Sequence, residues 1–334
     1  MMKNQYVREL AEGMRVDTLL ALGAKEMRST RAGEAYLMLE LADRSGRIPA
    51  VYFRPVSEAT AVPSGSVVRV RGTVSSYRGS KRISVEHLTP VSEYDPTDLL
   101  ESSRREPGEV IAEFKAVAAT VRHRELRRIL KAVFGDIGFF ERFAACPGAR
   151  AHHHAYLGGL MEHTLAVATL CRALGPMYEG VDSDLLVTAA LLHDIGKVDE
   201  LTYDTAVGYT DEGRLLGHVV LSERRLRNAS ASISPAPSFE LVTRLSHAVL
   251  SHHGELEWGS PKRPSTIEAL LLHHADNLDA KADGFISLTG HASRAEERWT
   301  DSANLFRRPL YAPTPVADER PVPDAEEARH LVRA

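Results

Sequence analysis

The chain has 334 residues, 43% of them apolar and 26% charged, a composition that suits a globular protein with room for two domains and a sizeable core. Cys146 and Cys171 are too few for a disulfide framework, the N-terminus MMKNQYVREL lacks the apolar run of a signal peptide, and no apolar stretch reaches the roughly 18 residues of a membrane span, so a cytoplasmic protein without a membrane partner is expected. The net charge of −4 excludes a surface coated in positive charge, yet residues 1–90 hold 14 Lys/Arg against 9 Asp/Glu while the remainder holds 27 against 36. A mildly basic front half and an acidic back half suit an anion-binding module followed by a metal-binding one.

In chain order, the first elements read as strands. Arg15–Leu22 is the first, and Ala35–Leu41 alternates apolar and other residues. Asp43-Arg44-Ser45-Gly46 is a turn, and Arg47–Phe53 resumes the alternation. Ser66–Val74 is β-branched and alternating, and Lys81–Glu86 closes the set after the turn Tyr77-Arg78-Gly79-Ser80. Such a run of short strands predicts a small closed β-barrel over residues 1–92, of the OB-fold kind, with an SH3-like barrel as the alternative. Pro96, Pro107 and Gly108 mark 93–108 as a linker. From 109 the period becomes helical: Ile111, Phe114, Val117 and Val121 recur at spacings of three and four, and Leu185, Leu186, Ala189 and Leu192 repeat the pattern. An all-α bundle is expected over 109–310, followed over 311–334 by a Pro-rich, charged stretch that reads as a loosely ordered tail.

The chemistry sits among the histidines of the second half. Leu191-Leu192-His193-Asp194-Ile195-Gly196-Lys197 carries an apolar helix into an adjacent His and Asp, with the helix expected to stop at Gly196. A buried His–Asp pair is expensive unless partnered, and a cation removes that cost by accepting the imidazole lone pair and neutralising the carboxylate. An N/O donor set suits Mn, Fe, Zn, Ni or Co rather than Ca. HDIGK resembles the signature of the HD superfamily of metal phosphohydrolases. Its other pieces follow in the family's order, with His163 in Gly158-Gly159-Leu160-Met161-Glu162-His163-Thr164 and Asp276 in His273-His274-Ala275-Asp276-Asn277-Leu278. The resemblance implies a first metal held by His163, His193, Asp194 and Asp276. It also implies a second, held by His218, His252 and His253 and bridged through Asp194. Asp194 is then catalytic, through water activated by the ions. Lys197 is placed to act in catalysis and to pair with a phosphate oxygen, Arg214 is a second phosphate candidate, and Asp279, one turn after Asp276, is a candidate support for the ligands.

Beyond the ligands, Thr210–His218, Ser251–Pro261 and Ala275–Lys281 are similar to the YhaM-type 3′→5′ exoribonucleases, a family that joins an OB-fold to an HD domain, and the likeness runs from about residue 5 to about 311. It implies removal of nucleotides from the 3′ end of single-stranded RNA, or single-stranded DNA, with Mn²⁺ as the favoured ion. In the barrel, Tyr36, Tyr52, Phe53 and Tyr77 lie among several arginines and lysines, and Tyr77-Arg78 in its turn is the better contact for a strand. Two alternatives share these features: an HD-type nucleotidase or cyclic-nucleotide phosphodiesterase, and a non-catalytic nucleic-acid-binding protein.

Overall fold

A computed structural model of the chain describes residues 3–30, 33–77, 80–103, 105–150, 154–294 and 297–313. The first element group is a closed barrel of β1 (Arg15–Ser29), β2 (Ala35–Asp43), β3 (Gly46–Phe53), β4 (Val67–Tyr77) and β5 (Ser80–Val91), with a short helix α1 (Ser57–Ala61) between β3 and β4. The strand order β1-β2-β3-β5-β4 closes on itself, with every pairing antiparallel except β3 to β5, where Ala50 faces Ile83 in parallel. This is the OB-fold arrangement, so the SH3-like alternative falls away. Period-two alternation does what it should: Leu37, Leu39 and Leu41 of β2 and Val68 and Val70 of β4 point into the barrel, and Tyr52 is buried while its neighbour Phe53 is exposed. Strand β1 runs seven residues past the expected Leu22, because a register shift between Leu22 and Lys25 lets it continue along β2.

Residues 93–108 are not a slack tether. A 3₁₀ turn at Pro96–Asp98 is capped by Asp95, the Tyr6 hydroxyl donates to Asp98 Oδ1 at 2.6 Å, and Leu99 is buried with Leu19 and Val67. Further on, Ser103 N donates to Leu157 O at 3.0 Å and Leu157 N to Glu101 O at 2.8 Å. Sequence periodicity alone does not show these contacts, because Pro and charge dominate the segment.

The second group is helical: α2 (Pro107–Ala119), α3 (Arg124–Phe134), α4 (Ile137–Ala145), α5 (Gly159–Leu174), α6 (Ser183–Leu192), α7 (Lys197–Glu200), a two-residue hairpin β6–β7 (Leu201–Thr202 and Gly208–Tyr209), α8 (Asp211–Ala231), α9 (Phe239–Ser251) and α10 (Ile267–Arg294). Its core gathers Phe114, Phe139 and Phe143 with the apolar faces of α3, α5, α6 and α9. Helix α6 is buried on every side, which is why its sequence is apolar all round. No described helix is long and apolar enough to cross a membrane. The C-terminal unit begins at Ala280. Within it, Leu310 and Ala312 are buried and Trp299 pairs with Tyr311, so order persists to the last described residue, 313. The tail expected over 311–334 otherwise lies outside the described residues.

Two glycines set how the helices meet. Helix α6 ends at Leu192, four residues before Gly196, and the chain turns through 193–196 into α7. The helix thus stops short of Gly196, which has φ −70 and opens α7 instead of closing α6. Its role is close approach: an added Cβ would lie 2.3 Å from His218 O and 2.4 Å from Ser222 N, while its own N–H donates to Ser222 Oγ at 2.8 Å. Gly217 has φ +73 and breaks α8, so that the helix restarts at His218. Gly196→Ala is expected to push α8 away, at a cost of about 1–3 kcal/mol. Thermal unfolding should show a lower midpoint, and metal analysis should show fewer bound ions per chain, because His218 rides on the displaced segment.

Candidate metal centre

The site is assembled from the ends of helices. His193 follows the last residue of α6 and His252 the last residue of α9, where backbone carbonyls have no partner along the helix. Each imidazole takes up one of them: His193 Nδ1 donates to Ala190 O at 2.7 Å and His252 Nδ1 to Val249 O at 2.6 Å. The same logic holds for the other three histidines. His163, on α5, donates from Nδ1 to Asp279 Oδ2 at 2.7 Å, His218 from Nδ1 to Glu200 Oε1 at 3.2 Å, and His253 from Nδ1 to Trp258 O at 3.0 Å. Carbonyl and carboxylate oxygens only accept, so each contact calls for the proton on Nδ1 and leaves Nε2 to face inward.

The inward nitrogens form two groups. His163 Nε2 and His193 Nε2 lie 3.2 Å apart, with Asp276 Oδ1 3.1 Å from the former and 3.8 Å from the latter. His218 Nε2 and His253 Nε2 lie 3.2 Å apart, and His252 completes that trio. Asp194 stands between the groups. Its Oδ2 is 3.5 Å from His163 Nε2 and 3.4 Å from His193 Nε2, while its Oδ1 is 3.4 Å from His218 Nε2 and 3.6 Å from His252 Nε2. Oδ1 is buried and accepts no hydrogen bond among the described residues. A buried carboxylate oxygen left unmet, facing imidazole lone pairs, fits a cation-binding site and little else. His163–His193–Asp276 and His218–His252–His253 each have their ligand atoms within 4.8 Å of one another, and the N/O donor set fits first-row divalent ions.

Charge in the metal-free protein is distributed to match. Burial opposes ionisation of Asp194, but Lys197 and His193 outweigh it and hold the carboxyl well below its usual range. Lys197 is buried with Nζ 2.6 Å from Asp194 Oδ2, and although burial opposes its charge, Asp194 raises its pKa. Burial, with His253 and His193 alongside, pushes His252 well below the ordinary imidazole range, and burial with His218 lowers His253. His163 goes the other way: burial opposes its charge, but hydrogen bonds to Asp276 and Asp279 push it up to about 9. Burial likewise opposes the charge of Asp279, yet His154 and His163 hold it below the usual carboxylate range.

All seven residues read as ligands converge, and Lys197 lies among them. Arg214 is exposed on the first turn of α8, four residues before His218. Tyr77 is exposed at the end of β4, with the Arg82 guanidinium 4.4 Å from its ring centre; Arg78 lies outside the described residues. In the layer behind the candidate ligands, sequence reasoning reached only Asp279. Asp279 also accepts from His154 Nε2 at 2.9 Å, His154 Nδ1 lies 3.0 Å from the Tyr156 hydroxyl, and that hydroxyl donates to Glu162 Oε2 at 2.7 Å. The i, i+3 spacing of Asp276 and Asp279 signalled the first link. Nothing in the sequence pointed to Glu200, which fixes both the backbone N–H and Nδ1 of His218.

Asp279→Asn is expected to weaken metal binding about 10- to 100-fold, because it loosens the grip on His163; equilibrium binding of Mn²⁺ to the variant measures this. The pH dependence follows from His163. Its Nε2 cannot ligate while protonated, so metal affinity rises with pH towards about 9 and then levels off. Calorimetry below that pH, in buffers of differing ionisation enthalpy, should register proton release on metal binding.

Comparison with known proteins agrees with this geometry. A family model of the HD domain matches residues 160–281, and one described as an OB-fold nucleic acid binding domain matches residues 24–91. The 3′-5′ exoribonuclease YhaM of Bacillus subtilis (strain 168) is 34% identical over 274 residues, covering 80% of this chain and 86% of that protein. YhaM of Geobacillus sp. (strain WCH70) is 32% identical over 274 residues, covering 80% and 83%. YhaM of Listeria welshimeri is 30% identical over 309 residues, covering 90% and 96%. The OB barrel, the HD helices and these likenesses along most of the chain place the protein in the YhaM family of 3′-5′ exoribonucleases.

Proposed function

We propose that the protein is a metal-dependent 3′→5′ exoribonuclease that removes nucleotides from single-stranded RNA, with Mn²⁺ as its working ion and two ions per site. The observation that carries this reading is the division of Asp194, one oxygen towards each trio of ligands. His163, His193 and Asp276 would hold one ion, His218, His252 and His253 the other, and Asp194 both. Bound there, divalent ions supply Lewis acidity for the phosphoryl oxygens and make water a nucleophile near neutral pH.

The chain's own residues do the rest. His163, His193, Asp194 and His252 have side-chain exposures of at most 2%, whereas Asp276 and His218 reach 16% and 15%. The phosphodiester would meet the centre on its more open side, where Asp276, His218 and the half-buried His253 lie. Lys197 is held against Asp194 at 2.6 Å, and with that carboxylate's charge answered at the metal site its ammonium would be available to a phosphate oxygen. Arg214, exposed on the first turn of α8, is a second candidate for a phosphate contact.

The barrel guides the strand. Between β1, β2 and β3 lies a hollow of about 340 Å³, lined by Lys25, Arg28, Met38, Arg47 and Pro49 among others, on the face by which OB-folds take up single strands. Its charges are largely spoken for. Arg28 pairs with Glu26, Arg47 with Glu40, and Lys25 Nζ donates to Thr60 O and Val62 O at 2.6 Å. Elsewhere on the barrel Arg69 and Arg71 share Asp17. Binding by the barrel is therefore weak, with Tyr77 and its stacked Arg82 adding a sequence-tolerant contact. Two buried free cysteines agree with a reducing cytoplasm.

With a 5′-labelled single-stranded RNA and Mn²⁺, the product ladder should shorten from the 3′ end and vanish with a chelator. Intact RNA beside hydrolysed mononucleotides or cyclic dinucleotides would instead assign the site to a nucleotidase or cyclic-nucleotide phosphodiesterase.

A further inference from the structure

An exonuclease that accepts any base still has to hold the end of its substrate. Contacts to the phosphates alone give no purchase on the last nucleotide, whose base hangs one sugar away from the scissile bond. The loop after α9 offers such a purchase. Its backbone is tied internally: Gly254 N donates to Ser251 O, Trp258 N to Glu255 O, Gly259 N to Leu256 O and Ser260 N to Glu255 O. Ser260 Oγ donates on to Leu250 O and Lys262 O, and Arg263 pairs with Glu255. So rigid a loop nevertheless leaves its two large apolar side chains, Leu256 and Trp258, each 54% exposed.

Trp258 is fastened to the metal centre twice. Its carbonyl accepts from Nδ1 of His253, so one imidazole ring separates it from the ion-facing Nε2. Its indole lies with its centre 5.9 Å from the ring of the buried His273, whose Nδ1 donates to His252 O at 2.8 Å. The backbone at Trp258 is thereby tied to His253, and its indole packs beside the histidine that holds the carbonyl of His252. An exposed aromatic face held rigidly beside a phosphodiester-cleaving centre suits a nucleobase, and stacking is tolerant of sequence because every base has a π-face.

We propose that Trp258 is the platform on which the base of the 3′-terminal nucleotide stacks, which makes it a substrate-binding residue of this site. The proposal rests on the exoribonuclease reading above. Stacking serves the bound substrate, so it governs KM more than kcat, and it has nothing to grip on a terminal residue that lacks a base.

The test compares two 5′-labelled oligoribonucleotides, one intact and one with an abasic 3′-terminal residue, following only removal of that first residue in Mn²⁺. Trp258→Ala should lower kcat/KM on the intact oligomer about tenfold, mainly through KM. On the abasic oligomer, wild type and Trp258→Ala should be equally slow, and Trp258→Phe should recover most of the activity on the intact one. A second readout needs no turnover. In a Trp299→Phe background Trp258 is the sole indole of the chain, and its emission in chelator should fall on adding the intact oligomer but not the abasic one. Equal losses on both oligomers, or no loss on the intact one, would overturn the platform while wild type still yields its ladder. A wild-type protein that shortens neither oligomer contradicts the exoribonuclease reading itself.

Discussion

The arrangement of the helical domain turns on a buried carboxylate that its own chain does not satisfy. Asp194 has one oxygen against Lys197 and two imidazoles and the other against two further imidazoles, with no hydrogen bond to the second. Five Nε2 atoms are turned towards this centre by acceptors placed behind them. Without cations, so dense a cluster of desolvated donors and lone pairs opposes folding; cations held there would tie five helices together. Much of the surrounding architecture exists to bring those groups within reach of each other.

Helix ends are the means. At the ends of α6 and α9 the unpaired carbonyls orient His193 and His252 and the helix dipoles favour positive charge. The break at Gly217 lets Glu200 cap the restarted helix and aim His218 in one stroke. The contact at Gly196 draws α8 in until His218 reaches Asp194. On α10, Asp276 faces the ligands while Asp279, one turn on, holds His163 from behind.

Much of this was legible before any coordinates. The two strand-rich and helix-rich halves follow from a change of period, two in Leu37–Leu41 and near 3.6 in Phe114–Val121, because burying one face of a strand or helix leaves that imprint. The candidate ligands stood out because the motif strings resemble a known superfamily; without that resemblance His218 could not be told from a surface or core histidine, whereas the adjacent His252-His253 beside Gly254-Glu255 already pointed to a site. What stayed hidden depends on tertiary approach. Glu200, Tyr156 and Glu162 look like ordinary polar residues until the chain folds them behind the ligands. Gly196 looked like a helix cap and proved to be a packing point, since a close backbone contact leaves no trace in the local pattern. The barrel's mildly basic character was legible in its composition, but not the pairing of its charges: Arg47 meets Glu40 and Arg69 meets Asp17 across strands, a matter of register, while Arg28 meets Glu26 two residues away on β1.

On the proposed reading the two domains divide the work, the barrel steering a strand with few unpaired charges and the helical domain supplying a compact, highly charged centre. Anomalous diffraction from crystals of the protein grown with Mn²⁺ addresses that centre most directly. Two peaks, each bound by a different oxygen of Asp194, one against His163, His193 and Asp276 and the other against His218, His252 and His253, are the predicted result. A single peak, or an Asp194 carboxylate turned away from the ions, would contradict the account.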